Sequence, residues 1–260
     1  MKTCEFLACY SELKNPYRRY FEGVGYVYFS DVDGSQEKVK VALLRCYANS
    51  SFPGGSLIVV KNVATVLRPK AVIFVGACSS LHPEKAKLGD VVVSAKLTTY
   101  ASKVVINNQG QSTGVRSCVS KRFLNVIKNC ANGWRAPLKN LADAEQVQVY
   151  TAAEFLTGPE RVISGQRRDQ LAETNPQAVA VESEGEGRWT DFLQPVFISR
   201  CTQPGQALRA VKRDGIACII VILILGKQKC VSFKASNSRE FGTLNHVCYF
   251  HWEILFLPEQ

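Results

Sequence analysis

The tightest constraint on the fold lies between Arg68 and Leu97. Ala71–Val75 is an unbroken apolar run with β-branched side chains, closed by Gly76. So short and continuous a run reads as a strand covered on both faces, as in a parallel sheet. Gly76-Ala77-Cys78-Ser79-Ser80 then carries almost no side-chain bulk and reads as a loop. Small residues directly after a buried strand let a ligand approach the backbone at the carboxyl end of a sheet, where open α/β folds bind their ligands. A tight turn between core strands is the plainer reading of the same spacing. His82-Pro83 and Leu88-Gly89-Asp90 punctuate the next ten residues, and Val91-Val92-Val93 starts a second strand.

The flanking chain supplies the rest of an α/β pattern. Met1–Leu13 has apolar residues at helical spacing before Asn15-Pro16. Gly25–Ser30 and Lys38–Leu44 read as a hairpin around Asp31–Gly34. Leu57–Leu67 reads as a buried helix stopped by Arg68-Pro69, which makes a strand–helix–strand unit with Ala71–Val75. Thr98–Gly114 is polar and is expected to loop outward. Val119–Cys130 has an amphipathic helical pattern, Val147–Tyr150 and Ala178–Val181 read as strands, and Thr157-Gly158-Pro159-Glu160 carries helix-start signals. Beyond Gly187 the pattern changes: an isolated apolar run, Ile216–Leu225, sits among residues with no steady period. The expected division is therefore a domain over 1–187 and a divergent segment over 188–260.

Composition narrows the class. The chain has 260 residues, 46% hydrophobic and 21% charged, as in an ordinary globular protein with a large core. Its net charge is +10, but the cations form pairs such as Arg18-Arg19 and Arg167-Arg168 and no basic arm, which disfavours a nucleic-acid partner. Ten cysteines without a Cys-x-x-Cys, and three histidines, argue against a metal site. No secretory pattern opens the chain, and the longest apolar run is half the roughly 20 residues a membrane helix needs. The expectation is a cytoplasmic protein without membrane contact, cofactor or metal.

Two stretches resemble the nucleoside phosphorylase/nucleosidase superfamily. Val75–Ser80 followed by Leu88-Gly89-Asp90-Val91-Val92-Val93 is similar to that family's small-residue loop and its "L-x-x-GD-V/I-V-V". Pro176–Glu184 (Pro-Gln-Ala-Val-Ala-Val-Glu-Ser-Glu) is similar to "P-x-A-x-x-V-E-M-E", the segment that holds ribose. The resemblance covers residues 1–187. It implies a three-layer α/β/α sandwich with a mixed central sheet, expected to lack the first strand because only four residues precede Glu5.

Cleavage of an N-glycosidic bond develops positive charge on the sugar, so a carboxylate that accepts from the ribose hydroxyls both positions and stabilises it. By resemblance, Glu184 takes that role with Glu182 beside it. On a strand the two would share a face, although an exposed acidic strand end fits the same residues. Ser183 replaces the family's methionine against the sugar. Ala77, Cys78 and Ser79 line the loop, and Phe155 and Leu156 match the segment that receives the purine; ordinary core is the alternative for Phe155. Glu5 matches loosely the glutamate that activates water in hydrolytic members. The phosphorolytic branch's arginine and serine fall on Phe74 and Ala77, which favours water over phosphate. The family's general-acid aspartate has no counterpart: Asp191 comes too early and Asp214 precedes the apolar run. The implied function is cleavage or binding of purine nucleosides, with a non-catalytic nucleoside-sensing or interaction domain as the alternative. A homo-oligomer is compatible with either.

Overall fold

The structure is a computed structural model and describes residues 4–33, 38–46, 55–101, 103–106, 109–112, 116–119, 121–136, 145–160, 162–183, 196–202, 219–225, 232–234 and 253–255. The chain opens with helix α1 (Cys4–Ser11), strands β1 (Tyr17–Phe21), β2 (Gly25–Asp33) and β3 (Lys38–Cys46), then helix α2 (Ser56–Leu67). No strand precedes β1 among the described residues. Strands β4 (Ala71–Ser80) and β5 (Val91–Thr99) come next, then the short β6 (Lys103–Ile106), β7 (Gln109–Ser112) and β8 (Arg116–Cys118), and helix α3 (Lys121–Asn129). Strand β9 (Val149–Thr157), helix α4 (Gly165–Thr174) and strands β10 (Ala178–Glu182), β11 (Val196–Thr202) and β12 (Ile219–Leu225) complete the main body; β13 (Ser232–Lys234) and β14 (Glu253–Leu255) form a separate pair.

Strand β4 organises the sheet. On one edge β11 runs parallel to it from Ile73 to Ser79. On the other, β12 pairs antiparallel with Ala71–Val75, and β10 pairs with Ser79 and Ser80. From β12 the sheet continues as β3, β2 and β1. From β10 it curls through β9 and β5 to β11 and back to β4, so five strands close into a ring.

Alternation along β4 explains its burial on both faces. Val72 and Phe74 join Val60 and Val63 of α2, Leu44 and Phe155 on one side. Ala71 and Ile73 join Val39, Val41, Val91 and Ile127 on the other, with Phe123 and Val126 of α3 packed against them. These are the three layers. Helix α4 lies over a third cluster of Leu81, Tyr100, Leu156, Leu171 and Val181. Helix α2 ends where Arg68 turns left-handed (φ 46°) and donates its N–H to the Ala64 carbonyl; Pro69 forbids a further turn.

Several local expectations are corrected. Gly76–Ser80 is not a loop but the second half of β4, because β11 supplies hydrogen bonds along it. Thr98–Gly114 contains the β6–β7 hairpin. The strand begun near Tyr150 continues through Phe155 to Thr157, so the helix starts later than Thr157–Glu160: Ser164 caps it by accepting from the Arg167 N–H. The run Ile216–Leu225 supplies β12, paired on both edges. Among the described residues no helix is long and apolar enough to cross a membrane.

Candidate functional site

The two sequence motifs meet. Registered pairs Ala180↔Ser80 and Val181↔Ser79 set the end of β10 beside the small-residue half of β4, and Glu182 faces Thr157 of β9. The pairing of β4 with β12 ends at Val75 and that with β10 begins at Ser79. Among the described residues the ladder on that edge is thus interrupted between Val75 and Ser79. Open space surrounds the place a Gly76 Cβ would take, and Ala77 is exposed. Small residues here leave the backbone approachable, the use that their size suggests from sequence.

Around the gap the side chains alternate between core and polar roles. Cys78 is buried, its sulfur 3.9 Å from that of Cys201 on β11. Burial first, then the Cys201 hydrogen bond and charge and the Glu182 carboxylate, hold the Cys78 thiol well above its ordinary value. It remains protonated and is no nucleophile. Ser79 is half-buried, as is Ser183. Glu182 is 8% exposed, so a carboxylate lies nearly enclosed at the carboxyl end of β10.

Phe155 is fully buried in the core with Phe74, Cys78 and Ala180, and Leu156 is fully buried against the α4 layer. Phe74 lies in the core as well, and neither it nor Ala77 offers an anion a charged group. Glu184 lies outside the described residues, as do Asp191, Asp214 and the side chain of Glu5. Among the described residues β11 is the next strand after the glutamate motif, and the first carboxylate beyond it in the sequence is Asp214, separated by Gln203-Pro204 and a further stretch.

Other polar groups lie near the site. Among the described residues the buried Ser80 Oγ and Thr157 Oγ1 have no hydrogen-bond partner, and both belong to residues that pair with β10. Asp90, of the Gly89-Asp90 pair, is 3% exposed and accepts from the Lys87 N–H at 2.7 Å and the Gln148 N–H at 2.9 Å. Its own N–H and carbonyl bond Lys87 and Cys201, so this motif residue ties β9 and β11 to β5. Ala152 adopts φ 57° where the β5–β9 register shifts. This bulge accompanies the change that leaves Phe155 in the core and Glu154 against Lys96 and Thr98. Burial would raise the Glu154 pKa, but hydrogen bonds from Lys96 and Thr98 and the charges of Lys96 and Arg116 prevail and hold it below the usual carboxylate range. Among the described residues no group of three or more His, Cys, Asp or Glu could hold a metal ion.

No protein-family profile matches the chain, and no curated protein matches it significantly. Solved structures do. S-adenosylhomocysteine nucleosidase from Streptococcus pyogenes, in complex with 5-methylthiotubericidin, superposes with a TM-score of 0.57 at 16% identity, covering 81% of this chain and 84% of that one. The methylthioadenosine/S-adenosylhomocysteine nucleosidase of Neisseria meningitidis, in complex with methylthio-immucillin-A, gives 0.58 at 16% identity over 81% and 87%. Futalosine hydrolase of Helicobacter pylori gives 0.54 at 14% identity over 82% and 88%. The chain therefore has the fold of the nucleoside phosphorylase/nucleosidase superfamily.

Proposed function

We propose that this chain binds purine nucleosides at the β4–β10 junction and acts on their N-glycosidic bond, with water in preference to phosphate. The observation that carries the reading is the ladder gap at Gly76–Cys78 lying beside the nearly enclosed Glu182 carboxylate. A gap of small residues admits the sugar, and a carboxylate next to it accepts from ribose hydroxyls and opposes the positive charge that develops on the ring. Glu184 shares this task, and Glu5 serves as the base that activates water. The structural neighbours that hold adenosine analogues support the substrate class. Phe74 and Ala77, at the anion-binding positions of the phosphorolytic branch, support hydrolysis.

A general acid on the base typically contributes about 10²–10⁴-fold. With no aspartate directly after β11, turnover is expected to fall short of an intact nucleosidase by that order. We place the protein in the cytoplasm, a reducing compartment suited to scattered cysteines kept as thiols.

The test is calorimetric titration with methylthioadenosine, adenosine and inosine, run alongside chromatographic detection of released base, with and without phosphate. Saturable binding with slow, phosphate-independent base release is the expected result. Binding without release would convert the reading to a non-catalytic sensing domain, and absence of both would end it.

A further inference from the structure

The hairpin at the far edge of the sheet carries a feature that the nucleoside reading does not use. Among the described residues, β1 pairs only with β2, so its other edge has no strand partner. Tyr17, Arg18, Arg19 and Tyr20 are all exposed, which means β1 is wet on both faces. Tyr17 is 55% exposed, Tyr20 66% and Tyr26, opposite Tyr20, 54%. Large aromatic surface left in water in one place marks a contact site.

The side chains are also held in place. The Arg18 guanidinium lies 4.9 Å from the centroid of the Tyr26 ring, and that of Arg19 lies 5.5 Å from the Tyr17 ring. Tyr20 meets Tyr26 edge-on at 5.3 Å, and Tyr17 stacks on Phe29 at 5.4 Å. Stacking fixes each guanidinium plane against a ring and leaves its N–H edge for an anion. Each face of β1 therefore offers one ring and one cation: Tyr17 with Arg19, and Arg18 with Tyr20.

We propose that the outer edge of β1 receives an extended acidic segment of another protein as an added strand. The order ring–cation–cation–ring along Tyr17–Tyr20 is matched by apolar–acid–acid–apolar on the incoming strand. The pattern reads the same in both directions, so it holds for parallel and antiparallel addition. Main-chain hydrogen bonds along the open edge supply affinity, and the alternating side chains supply selectivity.

Two other occupants fit less well. A second copy pairing edge to edge would set Arg18 against Arg19 of its mate, between chains that each carry a net charge of +10. A single-stranded nucleic acid stacks its bases on one platform, whereas the rings here point to opposite sides of the strand.

The test is fluorescence anisotropy of the whole protein with a labelled peptide containing Val-Glu-Glu-Val between threonines. Three further probes accompany it: the reversed pattern Glu-Val-Val-Glu, the first peptide with N-methylated backbone, and an oligothymidylate. The Val-Glu-Glu-Val peptide is expected to bind best, to lose binding on N-methylation, and to bind at least about tenfold more weakly to an Arg18→Glu/Arg19→Glu variant. Equal binding of the reversed pattern, indifference to N-methylation, tighter binding of oligothymidylate, or no peptide binding would each overturn the proposal. Nucleoside binding is read separately, so failure here leaves the site at β10 standing.

Discussion

Cys78 and Cys201 hold their sulfur atoms 3.9 Å apart across a registered pair of parallel strands, both within the core. Neither thiol meets solvent, and Cys78 keeps its proton far beyond neutral pH. In the native protein at pH 8 a thiol reagent should modify exposed Cys118 readily and Cys78 and Cys201 only after unfolding. Peptide mapping after pulsed alkylation reads this directly; fast native labelling of Cys78 would show that the ring opens.

A second buried thiol sets an alkaline limit on stability. Burial pushes the Cys130 thiol up to about 11 from an ordinary 9.0. The folded chain then holds a proton that the unfolded chain releases, so this contribution is complete below about pH 9 and is lost as pH climbs toward 11. Cys78 acts in the same direction. Urea midpoints measured at pH 8 and pH 10.5 should fall between the two. The fall should be smaller, though not absent, in Cys130→Ala.

Asp90 is expected to matter more for folding than for ligand. Asp90→Ala leaves the Lys87 and Gln148 N–H groups without their carboxylate. Hydrogen bonds to a charged group are worth about 1.5–3 kcal/mol each, so a loss of about 3–6 kcal/mol is expected in denaturant titration. Asp90→Asn keeps one acceptor and should lose about half of that.

Gly158 is tied to Tyr100 by contact. A Cβ there would come 2.4 Å from the Tyr100 Cζ, and that ring is 5% exposed and cannot swing away freely. Gly158→Ala should cost about 1–3 kcal/mol. Adding Tyr100→Ala should remove the penalty of the glycine change, which a double-mutant cycle measures as coupling.

The nucleoside reading is tested most narrowly at Glu182. Glu182→Gln preserves size in a buried position and removes the charge. Affinity for methylthioadenosine should drop about 10–100-fold, as expected for a charged hydrogen bond, with little change in melting temperature. An unchanged affinity would shift the sugar site elsewhere.

Much of the fold could be read from local pattern. Ala71–Val75 and Leu57–Leu67 carry their own period and stop signals: the helix occurs close to its expected bounds, and the strand starts where expected but runs on to Ser80. What escaped was set by distant partners. Gly76–Ser80 has no local reason to be a strand, and it becomes one because β11 pairs along it. The helix-start signals at Thr157–Glu160 are overridden because Thr157 is taken by the pairings with β5 and β10, leaving Ser164 to cap α4. For Phe155 the sequence leaves base stacking and ordinary core both open; the structure buries it with Phe74, Cys78 and Ala180 beyond the register shift near Ala152.

The ladder around β4 has a consequence for synthesis. Its partners β11 and β12 are translated long after it, with Cys201 lying 123 residues beyond Cys78. Until they emerge from the ribosome, the apolar first half of β4 has neither long neighbour, and the ring cannot close. A nascent chain halted near Gly187 would present Ala71–Val75 to any chaperone that recognises bare hydrophobic strands.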